Sequence, residues 1–307
     1  MEIRPLGQSG IQTSLVGLGC NNFGMKIDLS ASRKVIDTAI EVGINCFDTA
    51  DMYGDGQSEE FLGKVLGPRR KDIVLATKFG GQAKITKSGE RWGTQDHILR
   101  SAENSLRRLN TDWIDVYQIH YPDPETPIEE TLQALGRLVE QGKIRAIGHS
   151  NFSGKDINSA ASTAKRNNLT DFVSAQNEWS LLNRTVESDV IPACDTLGVG
   201  QLPYFPLASG MLTGKYKRGE GFAPGTRLDV LKFTRSMASE INFTKVEALA
   251  DFVAGNDHTL LELAFSWLAA QSCTASVIAG ATTPQQVRAN AKAVNWKLSA
   301  AACVGNI

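Results

Sequence analysis

The sequence predicts an α/β fold, a (β/α)8 TIM barrel with an N-terminal β-hairpin and a long loop after strand seven. Two observations predict it. Eight short runs rich in β-branched residues recur along the 307-residue chain, at Leu15–Gly19, Ile44–Asp48, Ile73–Lys78, Trp113–His120, Ile144–His149, Val173–Gln176, Val199–Phe205 and Ser276–Ala279. Between them lie stretches with apolar residues at i, i+3, i+4 spacing, among them Ala31–Val42, Gln95–Leu109, Ile128–Gln141 and Leu260–Ala270, the pattern of an amphipathic helix. Strand–helix alternation implies parallel pairing. Eight such units in about 300 residues suit a closed barrel better than a doubly wound sheet.

Ahead of the first barrel strand, Ile3–Leu6 and Gly10–Thr13 read as a hairpin. One segment breaks the rhythm: Gly210 to Arg235, rich in Gly, Lys and Arg, is too long for an ordinary connection, and such loops are usually functional or disordered. With no Pro/Ser-rich linker, low-complexity tract or sequence repeat, residues 1–307 read as one domain.

Composition narrows the function. The chain is 42% hydrophobic with a net charge of -1, enough for a sizeable core and without the basic block of a nucleic-acid footprint. No run approaches 18 apolar residues, so no membrane span is expected, and the start Met1-Glu2-Ile3-Arg4-Pro5 lacks the apolar region of a signal peptide. Cys20, Cys46, Cys194, Cys273 and Cys303 are scattered and form no Cys-x-x-Cys pair, as expected of reduced thiols in a cytoplasmic protein. His97, His120, His149 and His258 show no metal-ligand spacing. Gly17-Leu18-Gly19 lacks the third glycine of a dinucleotide fingerprint, because position 22 is Asn22. Gly210 to Lys215 falls one residue short of a P-loop, and Tyr216 replaces its hydroxyl ligand. Asn151-Phe152-Ser153 and Asn183-Arg184-Thr185 match glycosylation sequons by chance.

A barrel of this kind carries its chemistry at the C-terminal ends of the strands. Those ends read Asp48, Lys78, His120, His149-Ser150-Asn151, Gln176-Asn177 and Tyr204, with Tyr53 shortly after the second. Any one has a bland explanation: a helix cap, a solvated lysine, a core histidine, a packing aromatic. Their convergence on one mouth suggests acid–base work on oxygen. A phenol, with a pKa of roughly 10 in water, is a poor acid at neutral pH, and a nearby ammonium is expected to lower it. A carboxylate would hold the ammonium, and a neutral imidazole would bond the reacting oxygen, a site suited to protonating an alkoxide. No side chain delivers a hydride, so a nicotinamide cofactor is implied.

The run Gly43-Ile44-Asn45-Cys46-Phe47-Asp48-Thr49-Ala50-Asp51-Met52-Tyr53-Gly54 resembles the signature of the aldo-keto reductases. The likeness continues through Ala76-Thr77-Lys78, Ser105–Leu109, Asp115–His120, Gly142–Arg145, Gly148–Phe152, Pro206-Leu207 with Gly210–Lys215, and Gly280-Ala281-Thr282, nearly the whole chain. It implies a catalytic tetrad of Asp48, Tyr53, Lys78 and His120, with Tyr53 the general acid, Lys78 lowering its pKa, Asp48 orienting Lys78 and His120 placing the carbonyl. It implies NADPH, with NADH the lesser expectation, lying across the barrel mouth. Cys20, Asn21 and Asp48 would touch the nicotinamide side, Ser150, Asn151 and Gln176 the carboxamide, and Tyr204 the ring face. Pro206, Leu207, Ser209, Gly210, Leu212 and Lys215 would wrap the pyrophosphate with Arg227 nearby. Gly280, Thr282, Gln286 and Asn290 would hold the 2′-phosphate end. Thr282 lies two residues before Pro284, where a helix can start, and a helix N-terminus favours phosphate.

Departures from the family pattern are informative. Ala289 precedes Asn290 where many members have Glu, and Gly280 and Gln286 stand where some carry Lys and Arg. That pattern resembles the branch of the potassium-channel β subunits, and leaves NADPH preference to Lys215, Arg227 and Arg288. Phe205, Trp179 and His149 replace a common Ser, Tyr and aliphatic; Trp179 is expected to be structural. The implied function is reduction of an aldehyde or ketone to the alcohol. The alternative is a nicotinamide-binding regulatory subunit resembling channel β subunits. The expected partner is a small carbonyl substrate, with no nucleic acid, no membrane, and a monomer by default. Met25, Tyr53, Trp92, His120 and Tyr121 are the expected substrate wall, and Asn22–Met25, Gly80–Trp92, Tyr121–Pro124, Gly210–Arg235 and the tail after Lys297 the specificity loops.

Overall fold

A computed structural model describes residues 1–81, 89–230 and 232–298 of the chain. Eight parallel strands form the (β/α)8 sheet. A two-stranded antiparallel hairpin, β1 (Ile3–Pro5) with β2 (Gln12–Ser14), precedes them. The barrel strands are β3 (Val16–Gly19), β4 (Cys46–Asp48), β5 (Val74–Phe79), β6 (Ile114–Ile119), β7 (Ile144–Ser150), β8 (Ser174–Gln176), β9 (Gly200–Gln201) and β10 (Val277–Gly280). Closure between β9 and β10 rests on parallel bridges pairing Gln201 with Thr274 and Tyr204 with Ile278. Backbone bonds from Ala275 N to Gln201 O (2.8 Å) and from Ile278 N to Pro203 O (2.9 Å) hold that seam.

The seventh barrel strand, expected over Val199–Phe205, shortens to Gly200–Gln201. Pro203 has no N–H for the ladder, and Phe205 turns to φ 53°, a conformation no strand contains.

Around the sheet run α1 (Leu29–Glu41), α2 (Gln57–Leu66), α3 (Gln95–Leu109), α4 (Ile128–Glu140), α5 (Gly154–Asn167), α6 (Val190–Leu197), a helical turn α7 (Arg227–Val230), α8 (Glu240–Ala254), α9 (Leu260–Ala269) and α10 (Pro284–Lys292). Their starts are written in the sequence. Asp28 caps α1 by accepting from Ala31 N, and Ser153 with Asp156 and Thr259 with Glu262 form reciprocal capping boxes.

Two apolar clusters divide the interior. The larger lies between helices and sheet; the smaller fills the barrel itself with Cys46, Val74, Ala76, Val116, Ala146, Leu202, Ala275 and Ile278, and Leu6 and Ile11 of the hairpin plug one end. Successive side chains of a strand point to opposite faces, so the inward face of β5 reads Val74, Ala76, Lys78 and that of β6 reads Val116, Gln118, His120. The apolar members fill the base and the polar ones reach the mouth. Gly148 makes room: a Cβ there would meet Ser174 Oγ at 2.2 Å and Gln118 Cγ at 3.0 Å.

The long excursion after strand seven is packed. Tyr216 and Leu228 are buried, Leu228 N donates to Tyr216 Oη (3.3 Å), and Arg218 pairs with Glu240 and Glu247 of α8. Leu231 of this segment, residues 82–88 of the Gly80–Trp92 loop and the tail from 299, with Cys303, lie outside the described residues.

At the opposite end from the polar residues, Asp115 is 1% exposed. It accepts from Leu75 N at 2.9 Å and pairs with Arg70 and Arg145 at 2.8 and 2.7 Å. Removing one partner of a buried ion pair strands the other. Asp115→Ala is therefore expected to cost about 3 kcal/mol or more, read from urea midpoints; a loss under ~1 kcal/mol would show that Arg70 is satisfied without it.

Candidate active site

Lys78, on the inward face of β5, is fully buried, and so is most of Asp48, the last residue of β4. The Lys78 ammonium donates to both carboxylate oxygens of Asp48 at 2.8 Å and to the Thr49 carbonyl at 2.9 Å. A buried ammonium requires such partners. Asp48 Oδ1 also accepts from Gln176 Nε2 at 2.9 Å and lies 3.5 Å from Gln118 Nε2. Four strands therefore converge on one carboxylate.

Tyr53 packs its ring against this pair, with Lys78 Nζ 5.3 Å from the ring centroid. A turn through Gly54, Asp55 and Gly56, all at positive φ, swings the chain away behind it. Gly54 is tied to that turn, since a Cβ would meet Phe23 O at 3.0 Å. Burial pushes the Tyr53 phenol well above its ordinary pKa, the charge of Asp48 adds to the rise, and Arg227 opposes it. Desolvation therefore decides the sign of the net shift.

His120, 6% exposed, meets Tyr53 edge-on with centroids 6.0 Å apart and stacks on Tyr121 at 4.9 Å. Trp92 Nε1 donates to the Tyr121 carbonyl at 2.8 Å. Four of the five expected wall residues are thus linked by contacts, whereas Met25 is 59% exposed. Met52 was not anticipated: a Cβ at Gly81 would lie 2.4 Å from its sulfur and 2.7 Å from His120 Nδ1, so Met52 and His120 border the same space.

The residues expected around the carboxamide form one network. Ser150 Oγ donates to Gln176 O (2.8 Å), Asn151 Nδ2 to His120 O (2.9 Å), and Tyr204 Oη to Asn151 Oδ1 (2.8 Å). Cys20 N donates to Asp48 O (2.8 Å), which places the end of β3 beside the tetrad. At Gly280 a Cβ would meet Asn22 Nδ2 at 3.1 Å and Asn21 Oδ1 at 3.2 Å, so the ends of β3 and β10 adjoin.

After Pro206, the turn Ala208–Thr213 carries Ser209 and Gly210 at φ 58° and 97°. Phe205, Ala208 and Ser209 together put three non-glycine residues at positive φ in five positions, strain of a kind that gathers at ligand-binding loops. Ser209 Oγ and Arg227 Nε are buried without a partner among the described residues. Arg227 lies over the Phe205 ring at 4.4 Å, and Gly210 lies beside Lys215, whose Nζ is 2.9 Å from the position of an added Cβ. Lys26, which sequence reasoning missed by ending its loop at Met25, has its pKa lowered first by burial and then by the charges of Arg227 and Lys215. No ion-pair partner holds any of these three cations among the described residues. Such orphaned donors and cations fit a polyanion, as a dinucleotide's phosphates would be. At the start of α10, Thr283 is the cap, and Gln286 Oε1 accepts from Thr282 N at 2.7 Å; Asn290 is buried. Arg288, at the surface, pairs with Glu41 of α1 at 2.7 Å.

The profile of the Aldo/keto reductase family matches residues 15–303. This chain belongs to the aldo/keto reductase family. It is 34% identical over 306 residues to a probable voltage-gated potassium channel subunit beta of Oryza sativa subsp. japonica, covering 96% of this chain and 92% of that one. It is 34% identical to the uncharacterized oxidoreductase YrpG of Bacillus subtilis (97% and 92% covered) and 33% to the aldo-keto reductase YhdN of the same organism (97% and 90%). Among solved structures, the holo form of aldo-keto reductase AKR11C1 from Bacillus halodurans superposes with a TM-score of 0.78 at 35% identity, covering 99% of this chain and 94% of that one. The aldo/keto reductase described here is an NAD(P)H-dependent oxidoreductase with a TIM-barrel fold. Among its described residues no helix is long and apolar enough to cross a membrane, and no cluster of His, Cys, Asp and Glu could hold a metal ion.

Two unusual residues prove structural. Trp179 is 1% exposed, donates to Glu187 at 2.9 Å and meets Trp267 edge-on. His149 is fully buried, stacked on Phe152 at 4.6 Å, with neither ring nitrogen bonded among the described residues; burial lowers its pKa from 6.5 to about 3. Below its ordinary pKa the unfolded chain takes up a proton that folded His149 refuses. Unfolding free energy then falls by about 1.4 kcal/mol per pH unit on acidification. His149→Ile is expected to gain roughly 2 kcal/mol over wild type between pH 6.5 and 5, measured by denaturation at both values; parallel losses in the two proteins would show His149 protonated when folded.

Proposed function

We propose that this aldo/keto reductase reduces an aldehyde or ketone to its alcohol with NADPH, acting as a single barrel domain, and that Tyr53 is the proton donor. The observation that carries the reading is the buried Lys78–Asp48 pair with the phenol of Tyr53 against it and His120 beside it. When bound, the nicotinamide supplies the hydride, which no side chain here can deliver. His120 hydrogen-bonds the carbonyl oxygen and sets its direction. Tyr53 gives its proton to that oxygen as negative charge develops, and the phenolate is reprotonated from solvent. Asp48 holds Lys78, and Lys78 holds the Tyr53 ring. Trp92 and Tyr121 offer an apolar wall suited to aromatic or medium-chain carbonyls.

The preference for NADPH rests on Lys215, Arg227 and Lys26, whose charges have no carboxylate partner among the described residues. Gln286 and Arg288, engaged by Thr282 and Glu41, carry less of it. The second reading, a nicotinamide-binding subunit that docks on a channel, draws on the Oryza sativa relative named as a probable channel β subunit. Titrating the protein with NADPH and NADH by fluorescence, then assaying 4-nitrobenzaldehyde and methylglyoxal at 340 nm, separates the two. Binding with turnover supports the reductase; binding without turnover on any carbonyl favours the subunit.

Tyr53→Phe is expected to lower carbonyl reduction about a thousandfold while NADPH affinity stays within about twofold. Unchanged turnover would remove Tyr53 from its role. Lys215→Ala and Arg227→Ala are each expected to weaken NADPH about tenfold more than NADH, read from the same titration. Equal losses for both cofactors would show that neither side chain reads the 2′-phosphate.

A further inference from the structure

Behind Tyr53 lies a charged cluster to which no role is yet attached. Asp51 sits two residues before the proton donor. Its backbone N–H donates to the Lys78 carbonyl at 3.0 Å, and the backbone N–H groups of Met52 and Gly80 lie close enough to its carboxylate to favour the charged form. One side chain thus lies between the segment leading to Tyr53 and the turn that follows β5. Its Oδ1 is sealed from solvent and has no hydrogen-bond partner among the described residues.

The surroundings fix its charge balance. From α2 comes Glu59, fully buried, which accepts from Thr77 Oγ1 of β5 at 2.6 Å and pairs with Arg108 of α3 at 2.6 Å. From β6 comes Tyr117, fully buried, with its hydroxyl near Ser105 of α3. The Lys78 ammonium of β5 is held by Asp48 and Thr49. Two carboxylates therefore share one guanidinium. Glu59 has the direct contact with Arg108, and Asp51 is left as the carboxylate with the weaker claim.

We propose that Asp51 is a positioning residue for the proton donor, and that with the Glu59–Arg108 pair behind it Asp51 fixes how Tyr53 is presented to His120. Burial and the Glu59 charge raise the Asp51 pKa to about 7, against the pull of Arg108, so the tie changes charge near neutral pH. Ionised, the carboxylate makes charge-assisted bonds to the two N–H groups. Protonated, it holds them more weakly, and Tyr53 is less firmly placed.

The proposal rests on the reductase reading, and the test separates the two. Asp51→Asn keeps an acceptor oxygen but removes the titration; Asp51→Ala removes the tie. With 4-nitrobenzaldehyde and saturating NADPH, Asp51→Ala should lose about tenfold or more in kcat, as a slight misplacement of a reacting group does, while the Kd for NADPH stays within about twofold. The wild-type profile of kcat against pH should bend near 7, and Asp51→Asn should lack that bend. Thermal melts need no substrate: between pH 4 and 7 the folded protein binds a proton that the unfolded chain releases, so wild-type Tm should fall relative to Asp51→Asn as pH rises, then run parallel above 7. An unchanged kcat in Asp51→Ala, or a bend that survives in Asp51→Asn, overturns the proposal. If no carbonyl is reduced, the reductase reading fails alone. A crystal structure of Asp51→Ala then decides: Tyr53 displaced from its 6.0 Å contact with His120 supports the positioning role, and Tyr53 in place overturns it.

Discussion

Everything at the barrel mouth depends on burying one ammonium. Lys78 has no exposure, and an isolated charge in such a place is too costly to survive. Asp48 and the Thr49 carbonyl surround it, and Gln176 and Gln118 turn their amide groups to the same carboxylate. The pair is close to neutral from outside. Tyr53 stays a phenol because burial, with the charge of Asp48, outweighs the opposing pull of Arg227. A phenol held against a rigid, neutralised pair has a proton to give and a fixed direction in which to give it.

The barrel supplies that rigidity by sorting each strand along its length. Apolar inward residues fill the base, where the hairpin's Leu6 and Ile11 close it, and polar ones occupy the mouth. The loop carrying Ser209, Gly210 and Lys215 is built differently. Its positive-φ residues and unpartnered donors are strain and unmet hydrogen-bonding capacity, which an anion in that space would meet. Lys26, Lys215 and Arg227 form a cationic rim over a chain of nearly zero net charge. Attraction of a dinucleotide is therefore local, and salt will screen it over about 8 Å at physiological ionic strength.

Much of this was legible in the sequence. The strand ends were, because a period of two leaves Lys78 and His120 facing inward whatever the neighbouring loops do. Trp179 was expected to be structural, and the fold packs it edge-on against Trp267. Other features depend on relations that a linear reading does not hold. Strand seven looked long because Val199 to Phe205 is apolar, but the missing N–H of Pro203 and the turn at Phe205 shorten it. The sign of the Tyr53 shift depends on its burial and on the charges of Asp48 and Arg227 around it, which only the fold reveals. The pairing of Arg288 with Glu41 of α1 spans most of the chain and leaves no trace in a linear reading. Lys26 lay one residue past the expected loop, and its approach to Arg227 and Lys215 crosses some two hundred residues of chain.

The most direct test of the account is a single turnover of an aromatic aldehyde by NADPH deuterated at the transferring position, with the alcohol analysed by mass and NMR. The account predicts deuterium on the carbinol carbon, in one stereochemical sense, and a solvent-derived proton on oxygen. Tightly bound cofactor that retains its deuterium while the aldehyde is recovered unchanged would contradict it.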